Sequence, residues 1–158
     1  MSSFASRRLR VACQMDPIDR IDIRGDSTFA LLLEAQSRGH DLFYYLPQAL
    51  TLDGNQLLAR GETLAVKDQA GQHYAISNSR VEDLSMFDVV LLRQDPPFDM
   101  AYITSTHLLE RIHPRTLVVN DPREVRNAPD TLWVLDFLDL MPPTMVTRSL
   151  VDVEVFRE

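Results

Sequence analysis

Short apolar runs separated by polar turns set the rhythm of this chain, and most are too short for buried helices. Residues 1–8 form a polar tail expected to fray. Leu9 to Met15 is a nearly continuous apolar run that stops at Asp16-Pro17, the pattern of a strand buried on both faces. A loop rich in Asp and Arg follows. Asp26 then stands as an N-cap before Ser27-Thr28-Phe29-Ala30-Leu31-Leu32-Leu33-Glu34-Ala35-Gln36, a helix closed by Gly39. Phe29, Leu32 and Leu33 share one face while Leu31 and Ala35 lie off it, which predicts burial over a wide arc. Asp41 to Leu46 is aromatic enough for a second strand.

Between residues 48 and 86 the pattern changes. Asp53-Gly54-Asn55 and Ala70-Gly71-Gln72 are turn signals beside short β-like runs such as Thr63 to Lys67. They predict an antiparallel excursion of two or three strands. Val89-Val90-Leu91-Leu92 is a further central strand, and Asp99 caps a helix expected to reach Ile112. Its inner face is predicted at Ala101, Ser105, Leu108 and Ile112. Thr116 to Asn120 is another strand, and Asp121-Pro122 opens a short helix. Met141-Pro142-Pro143-Thr144 should lead into a strand at Met145-Val146-Thr147. The fold class is α/β, with a mostly parallel sheet and an inserted antiparallel hairpin region.

Composition changes this picture little but excludes much. The chain has 158 residues, 45% of them hydrophobic and 25% charged, the balance of a globular domain. A formal net charge of −7 argues against nucleic acid or an anionic membrane surface as a partner. No window reaches the length of a transmembrane span, and no signal-peptide core follows Arg7, Arg8 and Arg10, so a cytoplasmic location is expected. Cys13 is the only cysteine and is expected to be buried and inert. Arginines outnumber lysines fifteen to one, the single exception being Lys67.

Three strands each end in an Asp-Pro pair: Asp16-Pro17, Asp95-Pro96 and Asp121-Pro122. In a parallel sheet those loops share the carboxyl edge, where open α/β folds bind ligands. For Asp121-Pro122 the structural reading is preferred, an Asp cap before a helix-starting Pro. The Arg93–Asp99 loop reads the other way. It concentrates an arginine, two carboxylates and Pro96-Pro97 after a buried strand, and a fixed arginine there suits bidentate capture of a carboxylate or phosphate. Arg93 is expected to aim into the crevice and to pair with neither Asp95 nor Asp99. His40, His73, His107 and His113 lack metal-ligand spacing, no glycine-rich phosphate loop exists, and Asp16, Asp19, Asp22 and Asp26 lack the pattern of a calcium loop.

Several blocks carry a resemblance: Met15-Asp16-Pro17-Ile18, the long run from Gly25 to His40, and Leu91-Leu92-Arg93-Gln94-Asp95-Pro96-Pro97-Phe98-Asp99. Val118-Val119-Asn120, Val125-Arg126-Asn127-Ala128 and Thr144-Met145-Val146-Thr147-Arg148 continue it in order. From about residue 9 to 148 the chain closely resembles bacterial glutathione synthetase. The resemblance implies a Rossmann-like pre-ATP-grasp domain over 9–125 and the start of an ATP-grasp domain over 126–158. It implies an enzyme that joins γ-glutamylcysteine to glycine with ATP and Mg²⁺ through an acyl phosphate, assembled as a homotetramer.

By the same resemblance, Asp16, Pro17, Ser27, Arg93, Asp95, Pro96 and Pro97 face the γ-glutamylcysteine side. After Arg126-Asn127-Ala128-Pro129 the family usually reads Glu-Lys-Leu, its lysine reaching nucleotide. Here Asp130-Thr131-Leu132 stands instead, and Thr131 cannot replace an ammonium on a four-carbon stem. No catalytic residue, metal ligand or bound cofactor is therefore expected in this chain alone, and the rest of the ATP-grasp fold is an expected partner. Two other readings stay open: a stand-alone binding or assembly module derived from such an enzyme, and a small-ligand α/β protein unrelated to peptide ligation.

Overall fold

The computed structural model describes residues 7–128 and 130–157; the side chains of Asp130 and Thr131, and residues 1–6 of the tail expected to fray over 1–8, lie outside the described residues, while Arg7 and Arg8 pair with Asp88 and Asp41. The chain divides into two compact units at the Asn127–Ala128 junction.

The first unit is built on β1 (Arg10–Gln14), β2 (Asp41–Tyr45), β3 (Leu50–Asp53), β4 (Gln56–Val66), β5 (Tyr74–Asp83), β6 (Val89–Leu92) and β7 (Leu117–Val119). Its helices are α1 (Ser27–Ser37), α2 (Met100–Glu110) and α3 (Pro122–Asn127). β2, β1, β6 and β7 pair in parallel, in that order, and form the centre of the sheet. β3, β4 and β5 are the antiparallel insertion. β4 joins them to the centre through an antiparallel pairing with β2.

The sheet curls at β4 because this strand serves three neighbours. β5 runs along 58–66 on one edge, so β3 (along 56–59) and β2 (along 62–64) share the other. The register breaks between Gly61 and Thr63, where the neighbour changes. A Cβ on Gly61 would lie 2.2 Å from the Tyr44 carbonyl oxygen and 2.9 Å from Tyr45 Cβ, so the close approach admits only glycine.

Side-chain alternation divides the core between the sheet faces. Ala12, Phe43, Tyr45, Val90 and Leu92 point toward Leu109 and Ile112 at the end of α2. Val11, Cys13, Met15 and Leu42 point toward Phe29 and Leu32 of α1. The α1 ends are as the residues predict. Asp26 accepts the Phe29 N–H at 2.6 Å. At the other end Gly39, with φ of +79°, donates to Gln36 while His40 donates to Ala35, which closes a Schellman turn.

Two expectations are corrected. α2 ends at Glu110, and its buried face carries Ser105, Thr106 and Leu109 rather than Ala101, which is exposed. The helix opens over the loop edge instead of over the sheet, so its first turn has no core to meet.

In the second unit, α4 (Asp130–Trp133) leads into a 3-10 segment at Val134–Leu140, and α5 spans Leu150–Phe156. Met145-Val146-Thr147 is not a strand, because no described strand offers it a ladder. Instead the Thr147 hydroxyl accepts the Ser149 N–H at 3.0 Å, and Ser149 Oγ accepts the Asp152 N–H at 3.3 Å to cap α5.

Candidate functional site

The parallel pairing of β1, β6 and β7 puts all three Asp-Pro loops on one edge of the sheet. Two of them converge. The Asp16 carboxylate accepts the backbone N–H of Asp95 at 2.6 Å, which ties the loop after β1 to the loop after β6. Above that tie lies a cavity of about 560 Å³, a size suited to a small molecule. Asp16, Asp95, Pro96 and Pro97 form one wall, the first turns of α2 a second, and Pro47, Gln48 and Leu50 after β2 a third. Asp99 both lines the cavity and caps α2, accepting the Tyr102 N–H at 2.9 Å.

The third loop does something else. One Asp121 oxygen accepts the N–H groups of Arg123 and Glu124, at 2.9 and 3.4 Å, and so caps α3. The other lies 3.2 Å from His113 Nε2. Because His113 Nδ1 accepts the Val118 N–H, Nε2 is the nitrogen that donates to Asp121. Both carboxylate oxygens serve local structure.

Alternation along β6 places Arg93 on the α1 face, opposite Gln94. Its Nε donates to Thr28 Oγ1 at 3.0 Å and a terminal nitrogen donates to Ser27 Oγ at 2.7 Å. It pairs with neither Asp95 nor Asp99 and is not part of the cavity lining. Ser27 and Arg93 thus form one group at the start of α1, and Asp16, Asp95, Pro96 and Pro97 form another around the cavity. Pro17 is half-buried and accepts the Arg20 N–H at the start of a short 3-10 turn.

The lining therefore has a sign that its residue list alone does not show. Asp16, Asp95 and Asp99 contribute carboxylates, and among the described residues no Lys, Arg or His joins them. Residues that sequence reasoning passed over sit behind this wall. Gln14, fully buried at the end of β1, donates through Nε2 to Gln94 Oε1 and to Ser105 Oγ, the latter at 3.3 Å. A polar residue at the end of a central strand is the available signal, but an apolar run of seven masks it.

Nearby Cys13 is buried on the α1 face, where burial pushes its thiol up to about 12. Among the described residues no three His, Cys, Asp or Glu side chains converge closely enough to hold a metal ion.

Comparison with known proteins decides which fold family these loops belong to. The model of the prokaryotic glutathione synthetase N-terminal domain matches residues 9–126. The chain belongs to the prokaryotic glutathione synthetase family. It is 60% identical over 151 residues to glutathione synthetase of Bradyrhizobium diazoefficiens, covering 96% of this chain and 48% of that protein. The Rhodopseudomonas palustris glutathione synthetase is also 60% identical, over 149 residues, with 94% and 48% covered. The Escherichia coli O6:H1 glutathione synthetase is 40% identical over 151 residues, with 95% and 48% covered. The chain thus spans about half the length of these glutathione synthetases and corresponds to their N-terminal half. No helix among the described residues is long and apolar enough to cross a membrane.

Proposed function

We propose that this chain forms the γ-glutamylcysteine side of the active site in a complete enzyme that joins γ-glutamylcysteine to glycine. The observation that carries this reading is the convergence of Asp16 and Asp95–Pro97, from two blocks that resemble the synthetase family, on a cavity of small-molecule size. In the complete protein ATP, with Mg²⁺ offsetting its charge, would give its γ-phosphoryl group to the dipeptide's terminal carboxylate and leave as ADP. This chain's residues bind and orient the dipeptide. Residues 126–158 are read as the beginning of the ATP-grasp portion, and the side chain of Thr131 lies outside the described residues. A cytoplasmic setting and a homotetrameric assembly are part of the same reading.

Phosphoryl transfer needs charge clamps on the triphosphate, and the cavity lining here is acidic. The 158-residue chain mixed with ATP, Mg²⁺, γ-glutamylcysteine and glycine is expected to release no ADP. A chimera carrying residues 9–126 in place of the matching segment of the Bradyrhizobium diazoefficiens glutathione synthetase is expected to form glutathione. A folded but inactive chimera, or stoichiometric turnover by the chain alone, overturns the proposal.

A further inference from the structure

Gln94 lines the cavity, and its side-chain oxygen is already committed. Oε1 accepts from Gln14 Nε2 and lies 3.1 Å from the Ser105 hydroxyl, whose one proton is shared with the Tyr102 carbonyl at 3.0 Å. The Nε2 corner of the same amide makes no hydrogen bond to a described residue. With its oxygen anchored toward β1 and α2, the amide presents N–H donors to the cavity and no acceptor.

Gln14 is poorly explained as packing. It is fully buried, yet its own Oε1 has no hydrogen-bond partner. A leucine would fill that position with no orphaned acceptor. Its register partner on β2, Tyr45, carries the other buried side-chain oxygen that has no partner among the described residues. The polar group beneath the cavity is thus costly to the fold alone and intelligible as a device that orients Gln94.

The lining charge then selects what those N–H groups hold. Asp16, Asp95 and Asp99 repel a carboxylate, and among the described residues no lining cation offsets them. We infer that Gln94 donates to a neutral amide carbonyl of the ligand, and that buried Gln14, with Ser105, is the positioning residue that fixes its polarity. This rests on the reading that γ-glutamylcysteine occupies the cavity. The oxygen held is then the γ-amide carbonyl, and both dipeptide carboxylates point away from the acidic wall.

The test uses the whole chain and γ-glutamylcysteine labelled with ¹³C at the γ-carbonyl, observed by NMR. The carbonyl carbon is expected to move downfield on binding, alongside shifts of the Asp16 and Asp95 backbone amides. Gln94→Glu, at a half-buried position, removes the donors and should abolish the carbonyl shift and weaken binding roughly three- to tenfold. Gln14→Leu should reduce the carbonyl shift even if its melting temperature equals that of the parent chain, because the Gln94 amide is then free to turn. Binding at the cavity with an unmoved carbonyl, or equal affinity and shift in Gln94→Glu, overturns this inference and leaves the substrate-side reading standing. No perturbation of Asp16 or Asp95 by the dipeptide overturns both.

Discussion

Cys13 and Arg93 lie two residues out of register on neighbouring strands, on the same face of the sheet, and together show what a single position can disclose. The apolar run around Cys13 predicts an inert thiol, and the structure supplies the cause in complete burial, which holds the thiol near 12. Thiolate is the reactive form, so native Cys13 should stay unlabelled by a thiol reagent at about pH 8 and react only as the chain unfolds. Stopped-flow labelling with and without urea checks this; rapid labelling of the native chain contradicts it. Arg93 was singled out by its place in the loop after a buried strand. Its neighbours were not legible, because strand alternation sends it to Ser27 and Thr28, away from the loop that follows it.

Elements were read best where local chemistry decides them. Asp26 and Asp99 each accept a backbone N–H at a helix start, and Gly39 closes α1, all through residues within a few positions of one another. The Ser149–Asp152 cap of α5 has the same local character and could have been found by the same rule. β4 was read as shorter than its eleven residues, since its length depends on three partner strands far along the chain. Gly61 sits at the change of partner. Gly61→Ala places a Cβ against the fixed Tyr44 carbonyl, and the expected destabilisation is about 3 kcal/mol, the upper end for an overpacked site. Urea unfolding of the variant measures it; a loss comparable to an ordinary surface substitution shows that β4 can shift.

Across the whole molecule the arginine-rich composition appears as ion pairs. Arg8 with Asp41, Arg80 with Glu82, and Arg126 and Arg123 with Glu110 each hold a carboxyl below its ordinary value, mainly by hydrogen bonding. A carboxylate held low in the folded state stabilises above its unfolded pKa, roughly 4, and that contribution is lost as pH falls through the folded value. Stability should therefore drop on acidification below about pH 5. Glu110 bridges α2 to α3, so Glu110→Gln should lower the urea midpoint at neutral pH. The gap to the parent chain should close as pH falls through the lowered folded value of Glu110, where the parent's carboxylate takes up a proton as well. A gap that is constant with pH assigns the effect to packing instead of charge.

By itself the sequence determined what depends on near neighbours and periodicity: the α/β class, the central strands, the caps of α1 and α2, the carboxyl-edge loops, and a resemblance carried by contiguous blocks. It also marked Asp16, Asp95, Pro96 and Pro97, since residue type and position at a strand end are enough for that. The Asp121 cap before Pro122 was legible in the same way, whereas only the tertiary structure decided that Asp16 braces a cavity. It alone parted Arg93 from Gln94, set three carboxylates around one wall, and revealed Gln14 beneath it. These outcomes turn on which side of the sheet a side chain faces and which distant strand lies beside it. Neither is encoded in spacing along the chain, because both arise from packing between segments as far as 91 residues apart.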